Sequence, residues 1–375
     1  MRLILFFTYG VSLRTWAETG ILDREIILYK KLIEKGLKIS FITYGDESDY
    51  LYKHKLGDIE IIPFYSFVKK PSNKIIRFIQ SFFLPLILRD QINKSDIIKT
   101  NQMSSTWAPL IAKLLFKKKL IVRCGFVWYR FKLKENPTFL LKLYLYLTEW
   151  FSYHVADGII LTSYDDMQYI TKKFRINNQA KIKIIPNYID TETFRPFPGN
   201  TKSRHLLYIG RLSKQKNLFN LLDSLKGSIY TLDIIGDGEL KEKLKEYAIQ
   251  NKVNVNFLGR FPNNKIPEIL NQYEVFILPS FYEGNPKALL EAMSCGLAVI
   301  GTDVDGINNI VKHKENGFLC KNDSSSIRNA IDTIMGDEFL RQSIGAQARE
   351  FIINNCDIDK IVKKELNVYN AVIRS

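Results

Sequence analysis

An α/β chain of two consecutive domains, each built on a parallel sheet, is what this sequence predicts. Three observations carry the prediction. Short β-rich apolar runs alternate with amphipathic stretches of helical period. The alternation runs through twice, on either side of a proline-rich stretch. The length of 375 residues, 46% of them hydrophobic, supplies two ordinary cores and overfills one.

The elements follow in order. Arg2-Leu3-Ile4-Leu5-Phe6-Phe7 runs straight into Thr8-Tyr9-Gly10 with no small-residue cleavage site, so residues 3–8 read as a buried strand and not as a signal peptide. Further strands are expected over residues 38–43, 59–63, 97–101, 120–123, 158–162 and 182–186, with intervening helices that include 21–35, 105–116 and 139–155. Phe194-Arg195-Pro196-Phe197-Pro198-Gly199 then marks a linker, which sets a first domain at 1–190 and a second at 200–375. The second series places strands over 205–209, 231–235, 255–258, 275–279, 298–302 and 317–320. Helical segments from residue 337 onward close the chain, and whether the last packs back on the first domain stays open. Ligands of open parallel sheets bind at the carboxyl ends of the strands, so the cleft between the domains is the expected active site. Neither half contains GxGxxG, which removes the main support for a dinucleotide-dependent dehydrogenase.

The net charge of +15 is concentrated: residues 51–150 hold 18 Lys and Arg against 6 Asp and Glu. A basic surface on the first half can attract nucleic acid, anionic lipid or a phosphorylated substrate; the plain alternative is a solvated lysine-rich face. No recognition module accompanies the basic residues, so a nucleic-acid partner is set aside. The mixed stretch Lys69-Lys70, Lys74, Arg77-Phe78 and Phe82-Phe83-Leu84 is expected to dock on an anionic membrane, unless its apolar side packs on the sheet. The longest apolar run, 78–88, is broken by Gln80, Ser81 and Pro85 and is about half the ~20 residues that a spanning helix needs. Cys124, Cys295, Cys320 and Cys356 make no CxxC pair, so neither a disulfide framework nor a zinc site is encoded. A cytoplasmic location, or one at the cytoplasmic face of the membrane, is expected.

Two segments carry chemistry. Tyr208-Ile209-Gly210-Arg211-Leu212-Ser213-Lys214-Gln215-Lys216-Asn217 reads as a strand end, a short loop and a helix start. Gly210 lets a bulky anion approach the backbone, while Arg211 and Lys216 offer a forked and a compact positive charge, a setting suited to a diphosphate. The alternative is a plain turn with two solvated cations. In Pro279-Ser280-Phe281-Tyr282-Glu283-Gly284-Asn285-Pro286-Lys287-Ala288-Leu289-Leu290-Glu291, a strand ends, a glycine loop follows and a helix starts at Pro286. Glu283 stands at the helix entrance. Glu291 lies among apolar neighbours and needs a partner, either a vicinal diol such as ribose or a nearby cation.

These two segments, in this order, resemble the donor-site motifs of the family 4 glycosyltransferases, which share the GT-B fold: two Rossmann-like domains facing each other across a cleft. The Glu283 to Glu291 spacing is similar to that family's E-x7-E signature. Ile185-Pro186-Asn187-Tyr188-Ile189-Asp190, Gly236-Asp237-Gly238, Phe257-Leu258-Gly259-Arg260 and Gly301-Thr302-Asp303-Val304-Asp305-Gly306 fit the same pattern. The resemblance is strong from residue 182 to 320 and weak before it.

The resemblance implies that Arg211 and Lys216 hold the donor diphosphate, Glu291 binds the ribose and Glu283 faces the transferred sugar. Gly284, Asn285, Pro286, Lys287 and Ala288 match the loop whose amides contact sugar hydroxyls and phosphate, although relatives more often carry an aromatic and a small residue there. Gly259 and Arg260 match the stretch near the nucleobase. Glu18-Thr19-Gly20 stands where the family has a glycine-rich loop on the acceptor or phosphate side, and Gly20 alone survives. Many relatives place a histidine at a first-domain strand end, where this chain has Arg123-Cys124-Gly125; Arg123 then either faces the cleft as a positive charge or forms a surface ion pair. Retaining transfer of a hexose from a nucleoside-diphosphate sugar to a glycan or lipid-linked acceptor follows, with no cofactor and no metal. Asp303-Val304-Asp305 reads as a plain turn. Two alternatives remain: a catalytically inactive nucleotide-sugar binding protein, or a GT-B epimerase or phosphorylase.

Overall fold

Parallel strands covered on both faces should be apolar at nearly every position, and the strand from Arg2 to Phe6 is: Leu3, Ile4, Leu5 and Phe6 are all buried. In the computed structural model, which describes residues 1–199 and 203–375, this strand is an interior strand of the first of two sheets. The chain divides into two compact units, one of Met1–Pro186 with Ile361–Ser375 and one of Asn187–Lys360.

Unit 1 contains β1 (Arg2–Phe6), β2 (Lys38–Thr43), β3 (Glu60–Pro63), β4 (Ile97–Thr100), β5 (Lys119–Cys124), β6 (Gly158–Leu161) and β7 (Ile182–Ile184). They pair in the order β3-β2-β1-β4-β5-β6-β7, every neighbour parallel. Unit 2 contains β8 (Ser203–Ile209), β9 (Leu232–Ile235), β10 (Val255–Gly259), β11 (Tyr273–Leu278), β12 (Ala298–Thr302) and β13 (Phe318–Cys320), in the parallel order β10-β9-β8-β11-β12-β13. Each sheet reverses its winding once, between β1 and β4 in unit 1 and between β8 and β11 in unit 2. Ligands of such sheets bind at that switch point, beyond the carboxyl ends of the strands.

The division falls between Pro186 and Asn187, earlier than the proline-rich stretch that marks the sequence-based linker. That stretch is held within unit 2: Phe194 is buried in its core, and Asn271 Nδ2 donates to the Arg195 carbonyl at 2.9 Å. The last helix, Ile358–Arg374, contributes Glu365 and Tyr369 to the interior of unit 1. There Glu365 takes Lys99 Nζ on Oε2 at 2.6 Å and Arg123 Nη1 on Oε1 at 2.9 Å. Burial opposes the Glu365 charge, but the Lys99 and Arg123 charges outweigh it and hold the carboxyl below its ordinary range. Burial likewise pulls Lys99 down to about 8 despite its partner.

Candidate active site

The carboxyl ends of β8 and β11 carry the two segments singled out in the sequence, so both lie at the switch point of unit 2. Gly210 follows β8, and the turn beyond it is fixed by Tyr208, whose hydroxyl donates to the Arg211 carbonyl at 3.0 Å. That hydroxyl is pushed well above its ordinary pKa by burial and by Glu283, so it stays a donor. The Arg211 side chain is exposed and has no ion-pair partner among the described residues.

Lys216 is placed differently. Asn217 adopts a left-handed conformation, φ 55°, which Asn tolerates better than most residues. Its amide donates to the carbonyls of Pro279 at 3.0 Å and Asn322 at 2.8 Å. Phe281 N donates to the Gln215 carbonyl at 2.9 Å, and Gln215 Nε2 to the Tyr282 carbonyl at 2.8 Å. These bonds lace the loop after β8 to the loop after β11 and set Lys216 Nζ against Glu283 Oε1 as an ion pair. Ser280 Oγ donates to the same oxygen at 2.6 Å. Both contacts fall on Oε1, so Oε2 is the oxygen available to a ligand hydroxyl.

Glu283 N donates to the Asp305 carbonyl at 3.1 Å, which brings the loop after β12 under the Glu283 loop. Only glycine fits at 306: φ is +82°, and a Cβ would stand 2.4 Å from the Glu283 and Gly284 carbonyl oxygens. Asp303 and Asp305 therefore belong to a packed turn. Among the described residues no group of three or more His, Cys, Asp or Glu could hold a metal ion.

Pro286 caps the helix Lys287–Ser294 from just outside it, so the helix starts one residue later than expected, and its side chain offers no acceptor. The first turn therefore has no side-chain cap from Pro286, and the helix dipole points its positive end at the loop. Glu291 is buried on this helix, at 4% exposure. Asn285 does not point into open space: Asn187 N donates to its Oδ1 at 3.0 Å, and Asn187 Nδ2 to its carbonyl at 2.7 Å. Lys287 lies over the Tyr188 ring, 4.6 Å from its centroid, and Ala288 is half-buried in the first turn. Gly259 ends β10, two strands from β8, and its carbonyl accepts from Gly236 N at 2.7 Å. Arg260 is exposed, with Nε 3.7 Å from Asp237 Oδ2.

Ser280, Gln215 and Asn217, which hold Lys216 and Glu283 in place, were quoted in the sequence motifs without a role. Gln215 and Asn217 act only where two loops meet, and Ser280 only through the fold of its own loop, neither of which spacing shows.

In unit 1 the picture is less open. Arg123 does not stand free at its strand end; it is buried and paired with Glu365, a residue 242 positions away. Gly20 lies in an exposed turn after the helix Leu13–Glu18, whereas the glycine nearer the end of β1 is Gly10, with φ 76°. Cys124 is buried, and its thiol is pushed up by burial and then by the Glu149 and Asp166 charges. Glu149 is itself buried and raised to about 8; its Oε1 accepts from Tyr129 N at 3.0 Å and fixes the segment beyond β5.

Comparison with known proteins bears on the family and the fold. Residues 190–351 match the family model for glycosyl transferases group 1, and residues 27–193 match that for glycosyltransferase family 4. The chain is 30% identical, over 90% of its length and 98% of the relative's, to the UDP-Gal:alpha-D-GlcNAc-diphosphoundecaprenol alpha-1,3-galactosyltransferase of Escherichia coli. It is 22% identical, over 93% and 95%, to the N,N'-diacetylbacillosaminyl-diphospho-undecaprenol alpha-1,3-N-acetylgalactosaminyltransferase of Campylobacter jejuni. The Anabaena protein HepE, solved in complex with UDP, shares the fold with a TM-score of 0.78 at 17% identity, over 99% of this chain and 100% of that one.

Proposed function

The chain belongs to glycosyltransferase family 4, and from that premise we propose that it is a retaining transferase for a hexose from a nucleoside-diphosphate donor. The acceptor is a glycan or a lipid-linked sugar of cell-surface polysaccharide synthesis. The observation that carries the proposal is the pairing of an exposed, uncompensated Arg211 with the Lys216–Glu283–Ser280 cluster at the switch point of unit 2. Cationic groups and the N-terminus of the helix Lys287–Ser294 suit a diphosphate, and the fixed Glu283 carboxylate suits a sugar hydroxyl.

In this reading Arg211, Lys216 and the amides at the start of the helix Lys287–Ser294 stabilise the diphosphate as it leaves and the anomeric carbon becomes oxocarbenium-like. Glu283 Oε2 orients the transferred sugar, and Glu291 takes the ribose hydroxyls. Gly259 and Arg260 lie toward the nucleobase. Electrostatic preorganisation does most of the work, no metal is called for, and attack comes from the face that the diphosphate leaves. The names of the E. coli and C. jejuni relatives support an acceptor carried on diphosphoundecaprenol. Such an acceptor places the enzyme at the cytoplasmic face of an anionic membrane, met by unit 1.

A thermal-shift panel of nucleoside-diphosphate sugars tests the donor class: a true donor at one hundred times its dissociation constant stabilises by about 2.7 kcal/mol. NMR of the product then reads the anomeric configuration. Inverted product, or free nucleoside diphosphate released at the same rate with and without acceptor, would remove the reading.

A further inference from the structure

Asn187, Tyr188, Ile189 and Asp190 end a motif that carries the resemblance but none of the proposed chemistry. The segment they begin is tied to both ends of the helix Lys287–Ser294. At the amino end, Asn187 N donates to Asn285 Oδ1 at 3.0 Å and Asn187 Nδ2 to the Asn285 carbonyl at 2.7 Å, while Lys287 lies over the Tyr188 ring. At the carboxyl end, Ser294 Oγ donates to the Phe194 carbonyl at 2.6 Å. Arg349, from the helix Glu338–Asn355, donates through Nη1 to that same carbonyl at 3.0 Å and to the Ser294 carbonyl at 2.5 Å. The last carbonyls of a helix have no partner within it, so the guanidinium satisfies one of them and ties it to the segment. Eight residues of helix separate the two attachments, a span of about 12 Å.

Between its attachments the segment is itself held. Ile189 is buried, its N–H donates to the Cys356 carbonyl at 2.8 Å, and its carbonyl accepts from Ile358 N at 3.0 Å. Asp190 then closes a turn: Oδ1 accepts from Glu192 N at 3.2 Å and Thr193 N at 3.3 Å, and its carbonyl accepts from Phe194 N at 2.9 Å. All of these contacts lie within unit 2. A helix held at both ends by one stiff segment cannot slide along its axis. The loop before it is gripped at Asn285 by Asn187 and at Glu283 by Lys216 and Ser280. We propose that Asn187–Phe194 is a brace that sets the position of the donor helix, with Asn187 and Arg349 as its positioning residues. Neither touches the donor, because each acts through peptide groups at one end of the helix. The proposal rests on the donor reading given above and extends it: affinity for the diphosphate depends on residues away from the rim. In a preorganised site a misplacement of about 1 Å is enough to cost on the order of 10²-fold.

Calorimetric titration of the full chain and three variants with UDP, and with GDP, tests it. Asn187→Asp keeps the size of the side chain but sets a carboxylate oxygen, which cannot donate, against the Asn285 carbonyl. Arg349→Met keeps most of the apolar stem and no donor, and Arg349→Lys restores a single ammonium. For whichever nucleotide the parent binds, Asn187→Asp and Arg349→Met should each raise the dissociation constant by about 10-fold at unchanged stoichiometry, and Arg349→Lys should recover part of the loss. A merely structural role would give the opposite pattern: fewer binding-competent molecules, each with the parent's dissociation constant. That pattern, or parent-like binding by the folded variants, overturns the proposal. Should one variant fail to fold, the other decides. A parent that binds neither nucleotide overturns the donor reading itself, and the brace falls with it as a part of the donor site.

Discussion

Arg211 and Lys216, which the sequence groups as two diphosphate ligands, are not equivalent residues. Lys216 is held in a mostly buried pair with Glu283, and removing one partner of such a pair strands the other. Lys216→Ala is expected to cost about 3 kcal/mol in urea unfolding, together with a loss of transfer. The double variant Lys216→Ala with Glu283→Gln should recover most of the stability and none of the activity. If the single variant unfolds like the parent, the pair is not formed in solution. Lys216→Arg should fall short of full activity, since a planar guanidinium cannot place its charge where the ammonium stands. Glu149 makes a pH prediction. Its carboxyl is raised to about 8 when folded, so its contribution to stability is complete below its unfolded pKa and is lost as the pH rises through about 8. The melting temperature should therefore decline across that window, and Glu149→Gln should flatten the decline; an unchanged slope would refute the assignment.

Loops crossing between elements do at the next scale what single contacts cannot. The loop after β9 passes so near the loop after β8 that a Cβ on Gly236 would stand 1.8 Å from the Gly210 carbonyl oxygen. Gly236→Ala must displace the segment that carries Arg211, and should lower both melting temperature and donor affinity. Gly259 also has positive φ but faces open space, so Gly259→Ala should cost only about 1–2 kcal/mol, the ordinary strain of that conformation. Comparing the two by thermal melts, with and without a donor, separates close approach from backbone strain. The same contrast explains what the sequence revealed. The central strands were legible because burial on both faces makes them continuous apolar runs, as in β1, β4 and β12. The short helices and 3-10 turns between Glu47 and Leu56 were not, because four to six residues are too few to show a period. Glu283, Glu291, Arg211 and Lys216 were legible through motif spacing. Their supports Gln215 and Asn217 were not, because those act through contacts between loops 60 and more residues apart, and Ser280, three residues from Glu283, shows its role only in how the loop folds.

Across the whole molecule, sequence distance hides the interactions that close unit 1. Arg123 stood out as a cation at a strand end, but nothing local announces Glu365, which arrives from the last helix and buries both Arg123 and Lys99 beside it. Glu365→Leu leaves two buried cations without their carboxylate and should cost about 3–5 kcal/mol in urea unfolding. Stability equal to the parent's would show that the network contributes nothing. No helix among the described residues is long and apolar enough to cross a membrane. In the proposed reading the donor chemistry falls to the rim of unit 2. The central claim is that Arg211 at that rim stabilises the leaving diphosphate, and it is tested most directly by acceptor-dependent release of nucleoside diphosphate from parent and Arg211→Ala enzyme. Because Arg211 is exposed and has no ion-pair partner among the described residues, the account predicts a fall on the order of 10²-fold in kcat/KM for the donor at an unchanged melting temperature. Turnover by Arg211→Ala within a factor of about two of the parent at limiting donor would contradict it.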